Sequence, residues 1–277
     1  MRRYDLHTHS VHSDGTTRPA QIAADAAEAG LAGFALTDHD TIDGWDEARE
    51  AAHLARIDFL PGIEITTKHD HRSRHLLAFG IEPAAGELFD ALAEVRRSRV
   101  ARAREMVRRL GADFRITWDE VVGSEDARTV GRPHIADALV AAGYFTDRTA
   151  ALTQALHPAS PYYLGSSAID TTEAIRMVRA AGGVPVLAHP AAYRQRTPVG
   201  SDELREFAAA GLWGIELQHP ENRDDWLPEL ERAAAELGLT ATGASDYHGA
   251  GKPNRLGERS SSAETWDGIR ALAAVPG

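Results

Sequence analysis

Tyr4-Asp5-Leu6-His7-Thr8-His9-Ser10-Val11-His12-Ser13-Asp14-Gly15 is the stretch from which the rest of the chain can be read. Tyr4 and Leu6 alternate with polar neighbours, the pattern of a short half-buried strand. Residues two apart on a strand point the same way, so His7 and His9 face one point at its end. Asp14 follows on a Ser-Asp-Gly turn, where Gly15 permits a tight backbone. Two imidazoles and a carboxylate at a strand end suit Zn²⁺, Mn²⁺ or Fe²⁺. Taken alone, the motif more often describes three solvated polar residues near a terminus.

The pattern recurs along the chain. Residues 17–30 read as a helix, with Thr17 as cap, Pro19 in the first turn and Gly30 closing it. An apolar strand over 31–37 ends in Asp38-His39-Asp40, and a second helix over 43–55 takes Asp43 as cap. Residues 57–67 carry Glu64, and 75–80 begin with His75. The polar link between them, 68–74, is too short for a parallel crossover, so the pair forms a hairpin with Glu64 and His75 at one end. Later come a helix over 170–181, a strand ending in His189-Pro190, a capped helix over 201–210 and a strand ending in His219-Pro220. A helix over 224–237, a strand leading into Asp246 and His248, and a helix near 264–274 complete the chain. Seven strands, most followed by a helix, predict an α/β barrel or closed, mostly parallel sheet. Its strand ends share one face, and six of them carry a potential ligand. Any one such histidine is more often capped or solvated; six in one chain point to a metal-binding face.

Residues 86–165 break the alternation. Helical periodicity dominates there, and the segment reads as a helical insertion between two barrel segments, 1–85 and 166–277. Leu88, Leu92, Val95, Arg99, Met106 and Leu110 mark one long helix, which also bears Arg96, Arg97, Arg102, Arg104, Arg108 and Arg109. These arginines point all round the helix, so most form a solvated, ion-paired face.

Composition limits the chemistry. The 277 residues are 43% hydrophobic and 26% charged, enough for a sizeable core. A net charge of −11 argues against duplex nucleic acid as partner. A small phosphorylated substrate stays open, because bound divalent ions invert the local field. Without cysteine, a metal must use His, Asp and Glu. No apolar leader or membrane-length run is present, so a cytoplasmic protein without a membrane partner is expected. Nothing implies an obligate protein partner.

With these residues laid out, the chain resembles the PHP (polymerase and histidinol phosphatase) family. The matching pieces are His7-Thr8-His9 with Ser13-Asp14-Gly15, Thr37-Asp38-His39-Asp40, Pro61-Gly62-Ile63-Glu64, His75-Leu76-Leu77, Ala188-His189-Pro190 and Gly243-Ala244-Ser245-Asp246-Tyr247-His248. The resemblance implies a distorted (β/α)7 barrel and two or three divalent ions. One ion would be held by His7, His9, Glu64 and Asp246. A second would be held by Glu64, His75 and His189, with Glu64 as bridge, and a third by Asp14, His39 and His248. Some members have histidine where this chain has Asp14, which adds negative charge and favours a harder ion, or Mn²⁺ or Fe²⁺ over Zn²⁺. Arg99, Arg102 and Met106, followed by Gly131-Arg132-Pro133-His134-Ile135-Ala136, resemble the branch of nucleoside 3',5'-bisphosphate phosphatases and exoribonuclease-like enzymes. The turn Gln218-His219-Pro220-Glu221-Asn222 departs from that branch, which is richer in histidine there.

The expected reaction is metal-assisted hydrolysis of a phosphate ester, in which two ions clamp phosphoryl oxygens and activate a water. Asp246 is the candidate to orient that water or take its proton, and Glu64 the candidate bridge. Arg132 and His134 lead the candidate substrate contacts, followed by Arg99 and Arg102. His219 reads as either a substrate contact or a cap, and Asp38 and Asp40 as partners that orient imidazoles. His12, His53, His69, His71 and His157 read as ordinary polar residues. Hydrolysis of a C–N bond, another phosphatase activity such as that on histidinol phosphate, and a non-catalytic metal-bound module are the alternatives.

Overall fold

The computed structural model describes residues 2–83, 86–123, 129–165, 167–195 and 197–275. The barrel begins with β1 (Arg3–Asp5), α1 (Pro19–Glu28), β2 (Gly33–Leu36), α2 (Trp45–Ala55), β3 (Asp58–His69) and β4 (Arg72–Phe79). Four helices follow: α3 (Glu87–Leu110), α4 (Trp118–Val122), α5 (Arg132–Ala141) and α6 (Arg148–Gln154). Alternation resumes with β5 (Ile169–Asp170), α7 (Thr171–Ala180), β6 (Val184–Leu187), α8 (Ser201–Ala210), β7 (Gly214–Gln218) and α9 (Leu227–Leu237). It closes with β8 (Thr240–Gly243), β9 (Ser261–Ser262) and α10 (Ala263–Leu272).

The strands form one nine-stranded sheet in the order β8-β7-β6-β4-β3-β2-β1-β9, with β5 on β3. Pairing is parallel except around β4, which is antiparallel to both neighbours, and at β9. The predicted hairpin is therefore present, with Thr66 opposite His75. The sheet curls until its ends nearly meet. Thr8 bridges to Tyr247, and Ser261 Oγ bonds both the N–H and the C=O of Gly243 at 2.9 Å. Position 243 requires glycine, because a Cβ there would lie 2.7 Å from Ser260 O.

Alternation along the strands sorts the core into two clusters. Tyr4, Leu6, Ala35, Leu77, Val184 and Val186 pack with Trp266 and Ile269 of α10. Their neighbours Phe34, Leu36, Leu76, Ala78 and Leu187 pack instead with the surrounding helices. The first set fills the barrel, and Trp266 stacks on Tyr4 at 4.3 Å, closing the end where the parallel strands start. The open end is left for the histidines.

α3 straddles two cores. Leu88 and Leu92 join the outer barrel cluster, whereas Ala103, Met106 and Leu110 pack with Ile135 and Leu139 of α5 and Ala151 of α6. Residues 85 and 166, at which the insertion was bounded, lie outside the described residues.

Several local expectations change. β5 and β9 have two residues each, too short to show a period. Thr17 does not cap α1; Arg18 stands at that position without a side-chain bond, and Thr17 Oγ1 meets the Tyr247 hydroxyl at 3.2 Å. Gly44, not Asp43, precedes α2, whose first residue is pinned by the Trp45 indole N–H donating to Gly62 O at 2.8 Å. α8 likewise starts after Gly200, with Asp202 and Glu203 suiting the positive end of the helix dipole. Asp170 caps α7, accepting from Glu173 N.

Candidate metal centre

Glu64 stands at the middle of the open face. Its Oε2 lies 3.3 Å from His7 Nε2, 3.1 Å from His9 Nε2 and 3.2 Å from His39 Nδ1. Its Oε1 lies 2.6 Å from His75 Nδ1 and 3.0 Å from His189 Nε2. Strand ends bring these groups together: β1 runs into His7 and His9, β2 into His39, β6 into His189, and β8 into Asp246 and His248. Gly15 lets the Asp14 loop fold back, since a Cβ there would lie 2.3 Å from His9 O.

His7, His9 and Asp246 make one possible cation-holding group, with Glu64 Oε2 against both imidazoles. The two Nε2 atoms are 3.0 Å apart, and each lies 3.4 Å from Asp246 Oδ1. With the two Glu64 contacts these five separations span 3.0–3.4 Å. His39, Glu64 and His75 make a second possible cation-holding group, with His189 beside it on Glu64. His9, Asp14, His39 and His248 make a third, in which His248 Nε2 lies 3.2 Å from Asp14 Oδ1. All nine candidate ligands therefore meet on one face, all but His75 and Asp14 almost fully buried.

Burial opposes ionisation of the carboxylates, but His39, His75 and His7 hold Glu64 well below the usual range. His248 and His39 do the same for Asp14, and Lys252 and His7 for Asp246. Burial pushes His39 and His189 down and takes His248 to about 4, which favours the neutral form that a metal ligand needs. Burial works the same way on His9, but Asp246 and Glu64 lift it to about 9. The carboxylates that attract protons there would attract a dication in their place.

Three residues here adopt left-handed backbone without being glycine: Asp40 (φ 56°), His189 (φ 28°) and Asp246 (φ 54°). Such strain costs about 1–3 kcal/mol each and collects at functional sites.

A second layer fixes the ligands. Asp38 accepts from Ser10 N and from the hydroxyls of Ser10 and Ser13, and Ser13 Oγ lies 3.3 Å from His9 Nδ1. Asp38 thus orients an imidazole through serine. Asp40 does not: its carboxylate accepts from Thr66 N, Thr66 Oγ1 and Arg99 NH2, at 2.8, 2.9 and 2.7 Å. Its left-handed turn aims it at β3 and α3. Glu216, absent from the sequence reading, is fully buried on β7. It lies 3.1 Å from His7 Nδ1 and accepts from His189 N at 2.8 Å. The signal was an acid between Ile215 and Leu217 in a buried strand. Arg194, 3.2 Å from His189 Nε2, and Lys252 also escaped notice.

Arg99 is committed to Asp40 and Thr66. Arg102 has a buried Nε without a partner among the described residues. Arg132 donates to Leu156 O at 3.3 Å and lies over Tyr163. His134 Nδ1 accepts Gly131 N–H at 3.2 Å; burial lowers its pKa, with the charge of Asp14 opposing that shift. His219 does two things: its Nδ1 accepts Glu221 N–H at 3.0 Å, and its Nε2 faces Asp246 Oδ2 at 3.3 Å. His69 sits at the far end of the hairpin, against Phe207 and 3.6 Å from Glu206.

A PHP domain signature matches residues 5–115. Over 262 residues the chain is 32% identical to the 3',5'-nucleoside bisphosphate phosphatase of Chromobacterium violaceum, covering 92% of this chain and 90% of that protein. The chain belongs to the PHP family. It is a metal-dependent phosphoesterase, a hydrolase of phosphoric esters. It is also 30% identical over 248 residues to a 5'-3' exoribonuclease of Haemophilus influenzae, covering 89% of this chain and 90% of that one. A solved structure from Bifidobacterium adolescentis, described as a candidate metal-dependent phosphoesterase, superposes with a TM-score of 0.95 at 41% identity. It covers 98% of this chain and 96% of that one. The barrel is thus the distorted one of PHP phosphoesterases. No described helix is long and apolar enough to cross a membrane.

Proposed function

We propose that this PHP phosphoesterase hydrolyses a phosphate ester of a small nucleotide-like substrate, with a nucleoside 3',5'-bisphosphate as the leading candidate and nucleoside monophosphate and phosphate as products. The observation that carries this reading is the pair Arg102 and Arg132. Neither has a carboxylate partner among the described residues. Burial pushes Arg102 down to about 10, and Arg99 and Arg132 add to it; burial lowers Arg132 as well. Guanidiniums gathered without counter-ions repel one another, and a doubly charged phosphate relieves that repulsion through bidentate bonds. The histidine centre takes one phosphate and this pair a second, with 86–165 as the roof that delivers it. The bisphosphate phosphatase of C. violaceum supports the same substrate.

In this reading two or three ions occupy the groups set out above, with Mn²⁺, Fe²⁺ and Zn²⁺ the candidates. Bound there, they supply charge neutralisation for the phosphoryl oxygens and a nucleophile at neutral pH. Glu64, with one oxygen toward each of two groups, holds the centre together. Asp246 turns Oδ1 to the centre, where it orients the attacking water and takes its proton, while Oδ2 is braced by Lys252.

Arg132→Ala tests the assignment. Losing one charge-assisted bond costs about 1.5–3 kcal/mol, so KM for a bisphosphate should rise about ten- to a hundredfold and KM for a monophosphate little. Equal losses would move Arg132 to the reacting phosphate, and no loss on either would remove the insertion from the site.

A further inference from the structure

Lysine is scarce in this chain: Lys68 and Lys252 stand against 28 arginines. Lys252 follows His248 by four residues, and its Nζ lies 2.5 Å from Asp246 Oδ2 and 3.4 Å from Glu221 Oε1. The other Asp246 oxygen faces His7 and His9, so the ammonium stands one carboxylate's width from the centre. Its loop is fixed. Asn254 Nδ2 donates to Ser245 O at 2.9 Å, and Gly257 N donates to buried Asp5 at 2.8 Å.

Glu221 is 8% exposed and also pairs with Arg194, whose guanidinium touches His189. One carboxylate therefore serves two cations, and once Asp246 is engaged by a metal a positive charge remains on this wall. An ammonium has three N–H donors. One is donated to Asp246, and Glu221 holds the ammonium as an ion-pair neighbour at 3.4 Å, which leaves a donor for a ligand beside the histidine centre.

We infer that Lys252 is a substrate-contacting residue of the hydrolysis, donating to an oxygen of the phosphoryl group that reacts, with Glu221 as its positioning residue. This rests on phosphoester hydrolysis and not on the second anion. The water oxygen bonds to phosphorus and gives up one proton. The ester P–O bond breaks, its electron pair leaves on the departing oxygen, and that oxygen takes one proton from solvent. Lys252 keeps its charge throughout and offsets the negative charge on the phosphoryl oxygens as the bonds exchange.

The test uses the Mn²⁺-loaded full chain and three substrates: p-nitrophenyl phosphate, a nucleoside 5'-monophosphate and a nucleoside 3',5'-bisphosphate. Lys252→Met should lower kcat/KM about ten- to a hundredfold on all three. Metal content by elemental analysis should not change, Lys252→Arg should recover part of the loss, and Glu221→Gln should fall between. Activity within twofold of wild type would overturn the inference. So would lost metal, which would make Lys252 a support for Asp246 alone, or a loss confined to the bisphosphate. If the wild type treats monophosphate and bisphosphate alike, the substrate reading fails, and p-nitrophenyl phosphate still judges Lys252.

Discussion

Replacing Glu216 probes how far the metal centre depends on a residue behind it. Its carboxylate faces His7 Nδ1 at 3.1 Å and accepts from His189 N at 2.8 Å, with no exposure to solvent. Glu216→Ala would leave two buried donors unpaired, at about 1–3 kcal/mol each. A loss of about 2–6 kcal/mol is a large share of a stability of about 5–15 kcal/mol. Glu216→Gln is the cleaner variant, because it keeps the volume and one acceptor while removing the charge. That charge holds the proton on His7 Nδ1 and so turns Nε2 to Glu64 and Asp246. Such partners are worth about 10–100-fold in metal affinity. Calorimetric titration of the chelated protein with Mn²⁺ measures the change, and thermal denaturation of the same sample separates it from unfolding. If Glu216→Gln binds Mn²⁺ within twofold of wild type, the imidazole is oriented by the sheet alone and the reasoning is wrong.

Other expectations follow from the same geometry. Glu64→Ala should cost more activity than Asp14→Ala, because Glu64 meets five histidines across two groups and Asp14 serves one; equal activity in both would contradict the bridge. Arg148 holds the backbone O of Asp14 at 3.0 Å while pairing with Asp137, so Arg148→Ala should selectively empty the Asp14, His39 and His248 group. Elemental analysis at limiting Mn²⁺ would read one ion fewer, and unchanged stoichiometry would disconnect α6 from that group. With His9 lifted to about 9, its proton competes with metal below that pH. Apparent Mn²⁺ affinity should therefore rise about tenfold per pH unit up to about pH 9, with proton release in unbuffered titration. A flat profile would place His9 outside the ligand set.

The sequence made the open face readable because each strand ends in a residue with few other uses there. His7, His39, His189 and Asp246 are separated by whole strand–helix units, yet closure of the barrel brings them together without further information. The short polar link after Lys68 was enough to place Glu64 beside His75. Helix caps were less legible, because Thr17 and Asp43 suit caps by type while contacts with the distant Tyr247 and Gly62 accompany the actual starts. Glu216 was hidden because one acid in a strand also describes a solvated face; only the second apolar layer of helices shows that both sides are covered. Lys252 and Glu221 lie on irregular loops, where spacing carries no information about direction. Asp40 and Asp38 flank the same histidine and looked equivalent, but a left-handed turn at Asp40 sends them to different elements.

Substrate choice turns on the second anion. The most direct measurement is the ratio of kcat/KM for a nucleoside 3',5'-bisphosphate over the matching monophosphate, from phosphate release by the Mn²⁺-loaded wild-type chain. Arg102 and Arg132 predict a ratio of at least about ten, from one or more charge-assisted bonds available only to the bisphosphate. A ratio near one, or faster cleavage at the end of a single RNA strand, would contradict it.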